Sequence, residues 1–141
     1  MRYFEATSTI DAPADKIWSV LAHAQAWPNW DSGVDEVKGN IAAGARITIR
    51  SKAAPGRAFP VKVTAIEPPR RLEFTGGMPL GLFKGVRTYS LSPNADGATV
   101  FTMREEYTGP LLGLIWKSIP DLGPSFVQFA EGLKKRVESG Q

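Results

Sequence analysis

The sequence predicts an α+β fold, built as an antiparallel sheet followed by one long C-terminal helix. Three observations support this prediction. Stretches with the two-residue alternation of β-strands dominate the chain from residue 34 to residue 108, and turns rich in glycine and proline separate them. The longest stretch with helical spacing follows them, near the C-terminus. A length of 141 residues suits one core, so we expect residues 1–141 to form a single domain.

The first predicted element is a strand that begins at Arg2 and ends at Ile10. Alternation places Phe4, Ala6 and Ser8 on the same face of this strand as Ile10.

Two short helices are expected between this strand and the next one. Pro13 suits the first position of a helix, because its missing N–H would have no partner there. Asp15 in the first turn complements the positive end of the helix dipole. Apolar residues at helical spacing follow, namely Ile17, Val20, Leu21 and Ala24. The helix must end before Pro28, and a turn-rich segment over 27–33 holds two of the four tryptophans.

Six further strands are predicted, which makes a sheet of six to seven strands in all. They are Val34–Lys38, Ala45–Arg50, Phe59–Glu67, Arg71–Thr75, Phe83–Ser92 and Ala98–Thr108. The last two form the best-defined hairpin, because Pro93-Asn94-Ala95-Asp96-Gly97 is a dense turn signal.

The period changes after residue 110, where the long helix is predicted. One helical stripe is formed by Leu122, Phe126, Phe129, Leu133 and Val137. A helix from Asp121 to Glu138 would be about 27 Å long, which is enough to cross a small sheet.

Composition excludes several function classes. The chain has no cysteine, which excludes thiolate nucleophiles and cysteine-ligated zinc and fits a reducing compartment. It has one histidine, whereas metal sites and catalytic triads usually need more, and it has no glycine-rich phosphate-binding motif. The net charge is +3, but the basic residues are scattered rather than clustered as in nucleic-acid binders. No apolar run approaches the roughly 20 residues of a membrane span.

From these exclusions we expect a cytoplasmic protein that needs no metal and no cofactor. We also expect no nucleic-acid partner and no stable membrane insertion. The chain should be a monomer or a weak homodimer.

The predicted hairpin over 83–108 carries the sharpest functional inference. Centring its turn on residues 94–97 pairs Arg87 with Glu105. Both then lie on the apolar face, together with Phe83, Tyr89, Leu91, Phe101, Met103 and Tyr107. A buried ion pair contributes about as much to stability as apolar residues of similar size would, so stability alone does not explain the presence of this pair. It is either a structural ion pair near the open end of the sheet or a group that binds a polar ligand atom or performs acid–base chemistry.

Three stretches stand in a distinctive order and spacing. They are Ile10-Asp11-Ala12-Pro13 through Ile17-Trp18, then Trp27-Pro28-Asn29-Trp30, then Gly85-Val86-Arg87-Thr88-Tyr89 through Glu105-Glu106-Tyr107-Thr108-Gly109-Pro110-Leu111. Together they resemble the START-like or SRPBCC superfamily, which includes polyketide cyclase/dehydrase-like domains and the major pollen allergens. The resemblance covers essentially the whole chain.

This resemblance implies a helix-grip fold. In that fold a curved antiparallel sheet wraps around the long C-terminal helix, two short helices support the helix, and a cavity lies between helix and sheet. Members of the superfamily bind sterols, lipids, polyketides and plant hormones, and some are cyclases or dehydratases. The fold therefore locates a pocket without naming its chemistry.

Candidate ligand-binding residues come from the inner face of the sheet and from the segments beside it. The strands contribute Ile49, Val63, Phe74, Phe83, Arg87, Tyr89, Phe101, Met103, Glu105 and Tyr107. Trp30 comes from the turn-rich segment, Leu112 and Trp116 from the apolar segment before the long helix, and Phe126 and Phe129 from the helix itself. Each aromatic or aliphatic residue among them has core packing as its alternative role.

Two functions follow, and the residues do not choose between them. The first is binding or transport of a hydrophobic small molecule, lipid-like or aromatic, in an internal cavity. The alternative is a polyketide cyclase- or dehydratase-type enzyme, with Glu105 as general acid or base and Arg87 or a tyrosine polarising a carbonyl. A third interpretation is an interaction module whose own side chains fill the inner face.

Overall fold

Seven antiparallel strands form one sheet in the computed structural model of the protein, which describes residues 1–139. The strands are β1 (Arg2–Ile10), β2 (Val34–Lys38), β3 (Arg46–Ser51), β4 (Phe59–Glu67), β5 (Arg71–Gly77), β6 (Lys84–Pro93) and β7 (Thr99–Thr108). Their spatial order is β1-β7-β6-β5-β4-β3-β2, so the first strand of the chain joins the last one. The predicted number of strands is confirmed.

The helices lie before and after this run of strands. They are α1 (Ala14–Leu21), α2 (Leu112–Ile115) and α3 (Gly123–Glu138), with short 3₁₀ helices at Ala24–Asn29, Pro79–Gly81 and Trp116–Ser118. The sheet curls into a half-barrel around α3, which confirms the expected helix-grip fold. Within residues 1–139 no helix is long and apolar enough to cross a membrane.

Helix α3 packs its apolar stripe on the concave face of the sheet, chiefly against β1. The buried side chains of this stripe include Phe126, Phe129, Leu133 and Val137. Each contributes about 1.5–3 kcal/mol by leaving water, which is why this face of the helix decides where the helix lies.

Polar contacts fix the position of α3 along the sheet. The buried Ser8 hydroxyl of β1 donates to the carbonyl oxygen of Ala130 at 3.0 Å. On the other side of the helix, Gly132 lies so close to the backbone of Asp31 that a Cβ atom there would overlap the Asp31 carbonyl oxygen. Glycine at position 132 is therefore required by packing rather than by backbone conformation.

The register of the β6–β7 hairpin agrees with the prediction from its turn. Arg87 lies opposite Glu105, and Tyr89 lies opposite Met103. The pairing is determined because one face of this hairpin is apolar and the other is polar.

Two helix starts differ from the prediction. Pro13 is extended and precedes the first helical residue, so it caps α1 from outside. Helix α3 begins at Gly123 rather than at Asp121, because the Asp121 side chain accepts a hydrogen bond from the Gly123 N–H at 2.9 Å and so ends the preceding turn.

Candidate functional site

A cavity of about 390 Å³ lies between the concave face of the sheet and the N-terminal part of α3. It occupies the end of the sheet where β5 passes into β6, away from the turn that joins β6 to β7. Its sides are closed by residues 51–60, which connect β3 to β4, and by residues 115–122, which run from the end of α2 to the start of α3. Its wall is therefore part sheet, part helix and part loop.

Nine predicted ligand-binding residues line this cavity. They are Ile49, Phe74, Phe83, Arg87, Tyr89, Met103, Glu105, Tyr107 and Phe129. Eight of them come from four strands and one helix, and Phe83 directly precedes β6; the shared inner face brings them together. Their role in binding remains a prediction.

Six predicted residues lie outside the lining, namely Trp30, Val63, Phe101, Leu112, Trp116 and Phe126. Val63 and Phe101 face inward but sit farther along the sheet, where the core is filled. The ring of Phe101 stacks at 6.0 Å on that of Phe129, which leaves no space beside it. Alternation correctly assigned their face but carried no information on how far along the strand the cavity extends.

The other aromatic residues outside the lining pack behind the wall. Trp116 stacks on Phe4 with ring centroids 5.4 Å apart. Phe126 contacts Phe4 on one side and the Arg87 guanidinium on the other, whose Cζ lies 4.9 Å from the ring centroid. Trp30 packs edge-on against Phe129 at 5.2 Å. Leu112 is half-buried in α2.

Many lining residues were not predicted. The strands and α3 add Val34, Ser51, Phe59, Pro60, Val61, Gly76, Gly77, Gly85 and Ser125. Helix α2 and the 3₁₀ helix after it add Ile115 and Ser118, and loops add Ser32, Ala53, Ala54, Arg57, Ile119, Pro120 and Leu122. Gly85 was within reach of sequence reasoning, because the hairpin register places it opposite Tyr107 on the inner face. The loop residues have no period, so only the folded chain identifies them.

Arg87 and Glu105 form an ion pair in the cavity wall, with Nε donating to Oε1 at 2.6 Å. Their side chains are only 22% and 15% exposed. The register places them side by side on β6 and β7, and Phe126 covers the guanidinium. The pair is thus shielded from bulk solvent but retains an open side toward the cavity.

Electrostatics keep this group of residues in defined protonation states. Desolvation acts to lower the pKa of Arg87, but the charge of Glu105 and the neighbouring tyrosine oxygens more than reverse it. The pKa is therefore raised and the guanidinium stays cationic. Burial raises the pKa of both Tyr89 and Tyr107, so both hydroxyls remain protonated at neutral pH.

The hydroxyl oxygens of Tyr89 and Tyr107 are buried and have no hydrogen-bond partner within residues 1–139. Buried polar atoms normally find a partner, so two unpaired hydroxyls in one cavity wall are unusual. The arrangement offers donors to an oxygen atom, beside a carboxylate that can accept or transfer a proton.

A family model described as polyketide cyclase / dehydrase and lipid transport matches residues 1–138. The chain belongs to this family. Membership supports a ligand-binding or cyclase-type role for the protein. A search of the curated proteins found no match.

Solved structures share the fold of this family member. Protein MLL2253 from Mesorhizobium loti is 21% identical over 99% of both chains, with a TM-score of 0.73. A START superfamily protein from Mycobacterium smegmatis is 18% identical over 99% of both chains, with a TM-score of 0.71. A point mutant of norcoclaurine synthase from Thalictrum flavum, in complex with a transition-state analogue, is 18% identical over 99% of this chain and 95% of that one, with a TM-score of 0.69. At these identities the likeness shows the fold alone.

Proposed function

We propose that the protein binds a hydrophobic small molecule, lipid-like or aromatic, and holds or carries it in the cavity. The cavity itself is the observation that carries this proposal. Its volume of about 390 Å³ falls in the range of small-molecule sites, which are mostly apolar with a few placed polar groups. Phe74, Phe83 and Met103 are among its apolar wall residues, and the Arg87–Glu105 pair is its inner polar group.

The interpretation in which the protein's own side chains fill the inner face has less support. It requires the aromatic residues of the sheet and helix to meet across the whole core. They do so around Phe101 and Phe129, but the space beside Tyr107 and Arg87 is open.

A cyclase- or dehydratase-type enzyme is the second candidate. The observation that favours it is the short Arg87–Glu105 contact beside two unpaired tyrosine hydroxyls. Glu105 would transfer a proton at a carbon next to a ligand carbonyl, and Arg87 or a tyrosine would stabilise the resulting negative oxygen.

Native mass spectrometry of freshly purified protein tests binding, followed by extraction and identification of any apolar compound. A stoichiometric compound is expected. The variant Ile49→Phe puts a phenyl group into the cavity wall and should reduce occupancy, whereas Thr48→Phe adds the same group at the neighbouring position, which is outside the lining, and should not. Equal occupancy in both variants, or no compound together with no thermal shift across lipids and aromatic polyketides, would count against the proposal.

The extracted compound then distinguishes the two functions. An enzyme would convert it, or a poly-β-ketone of similar size, and Glu105→Gln would lose turnover while retaining binding. A carrier would release the compound unchanged, with or without the substitution. Product analysis by liquid chromatography and mass spectrometry reports which occurs.

We further propose that the protein works in the cytoplasm, as a monomer or weak homodimer and without a nucleic-acid partner. The absence of cysteine and the scattered basic residues support this. Light scattering across a concentration series tests the oligomeric state, and a gel-shift assay at physiological salt tests for nucleic-acid binding.

A further inference from the structure

We infer that the ligand presents an uncharged oxygen acceptor, such as a ketone, to the inner site, which is the part of the cavity lined by Arg87, Glu105, Tyr89 and Tyr107. Glu105 makes this inner site reject a carboxylate ligand of the same shape. The inference rests on the proposed binding function and adds the chemical class of the group that is bound.

The charge of the inner site supports the rejection of a carboxylate. Only three charged side chains line the cavity within residues 1–139: Arg57, Arg87 and Glu105. Arg57 is exposed and lies in the loop that closes one side, so it belongs to the mouth. Arg87 and Glu105 neutralise each other at 2.6 Å, which leaves the inner site with no net charge. An incoming carboxylate would bring an uncompensated negative charge close to Glu105, where little water screens it.

The hydrogen-bonding capacity of the site supports an uncharged oxygen acceptor. Within residues 1–139 the one hydrogen bond of the Arg87 guanidinium runs from Nε to Glu105, so the donors of its terminal nitrogens face the tyrosine oxygens and the cavity. The hydroxyls of Tyr89 and Tyr107 have no hydrogen-bond partner in this part of the chain and are near enough for Arg87 and Glu105 to act on their ionisation. Donors therefore outnumber acceptors at this end of the cavity. A carbonyl oxygen only accepts, so it satisfies such a site without adding charge.

Removing the negative partner should reverse the preference. In Glu105→Gln the Arg87 cation has no carboxylate at its Nε, and the inner site carries a net positive charge. A carboxylate ligand then replaces the missing partner, whereas a ketone gains little. Glu105→Gln should thus strengthen binding of the carboxylate and not of the ketone. A general packing defect would not strengthen the binding of either ligand.

Three probes of one shape test the inference: 2-acetylnaphthalene, 2-naphthoate and 2-isopropylnaphthalene, titrated at pH 7.5 by calorimetry. Wild-type protein should bind the ketone about tenfold or more tighter than the carboxylate and also tighter than the hydrocarbon. Glu105→Gln should raise the affinity for 2-naphthoate about tenfold or more. Glu106→Gln is the matched control, since Glu106 is the next residue and pairs with Arg104 outside the cavity; it should leave all three affinities unchanged.

Wild-type protein that binds 2-naphthoate as tightly as the ketone would overturn the inference, and this comparison needs no variant. An unchanged ketone-to-carboxylate ratio in folded Glu105→Gln would also overturn it. Equal binding of ketone and hydrocarbon would leave the proposed cavity function standing and overturn the inference alone. If none of the three probes binds wild-type protein, both the proposed function and the inference are contradicted.

Discussion

Gly132 lies in the buried middle of α3, where the backbone of Asp31 occupies the space that a side chain would need. We expect Gly132→Ala to lower the free energy of unfolding by about 3 kcal/mol, because helix and loop must separate to admit one methyl group. Urea denaturation measures the change.

Gly113 provides the matched control for this substitution. It also lies in a helix, α2, but a Cβ there would meet no atom within 4 Å. Gly113→Ala should therefore be neutral or stabilising by up to about 1 kcal/mol. Equal destabilisation by both substitutions would show that contact with Asp31 is not the cause.

Removing each of two buried hydroxyls on the sheet should affect the stability of the protein differently. Thr99 donates to the carbonyl oxygen of Ala12 at 2.8 Å, so Thr99→Val should cost about 1 kcal/mol of stability or more. The Tyr89 hydroxyl has no hydrogen-bond partner among residues 1–139, so Tyr89→Phe should leave the stability of ligand-free protein unchanged or raise it. Thermal unfolding of the two variants gives the comparison, and a marked loss in Tyr89→Phe would reveal a hidden partner.

At the scale of elements, the C-terminal end of α3 is tied to the end of β1. Glu138 accepts hydrogen bonds from the Asp11 N–H at 2.9 Å and from Lys134 Nζ at 2.8 Å, and Lys134 also donates to the carbonyl oxygen of Thr9. The Asp11 N–H, helped by Lys134, holds the pKa of Glu138 below its ordinary value of 4.5. The stabilisation is therefore present above the ordinary pKa and is lost as the pH falls through the lowered one.

We expect Glu138→Gln to lower the Tm at pH 7, by an amount that shrinks as the pH is reduced toward 3. The reason is that protonation removes the same charge from the wild-type protein. Glu131→Gln serves as the control, since Glu131 is exposed on the same helix and has no ion pair within residues 1–139. A Tm difference for Glu138→Gln that is independent of pH would contradict this explanation.

The strands and their pairing were predictable because burial on one side imposes a period that the sequence displays. The β6–β7 register was correct to the residue, since a slip would have turned Arg87 and Glu105 to the outer face. Helix starts were less predictable, because α3 begins at Gly123, whose N–H donates to the Asp121 side chain, and no periodic pattern marks such a contact. The cavity was predictable only in part: its inner-face strand residues follow from alternation, whereas the segments over 51–60 and 115–122 have no pattern that assigns them to a wall.

For the whole molecule we propose that residues 1–141 unfold as one domain. Helix α3 packs against the first strand of the chain, and β1 pairs with the last strand, so the two ends of the sequence share one sheet and one core. Far-ultraviolet circular dichroism should therefore give the same Tm as fluorescence of the tryptophans. Two separate transitions would show that part of the chain unfolds independently.

The close approach of Gly132 to Asp31 also bears on how the cavity would accommodate ligands of different size. Together with the Ser8 hydrogen bond to Ala130 and the Gln128 side-chain hydrogen bond to Asp31 at 2.8 Å, it holds the middle of α3 in place. Helix α3 is thus a fixed wall of the cavity. The segments over 52–58 and 119–122 lie between the helices and strands, so we expect a larger ligand to displace these segments while the sheet and α3 keep their positions.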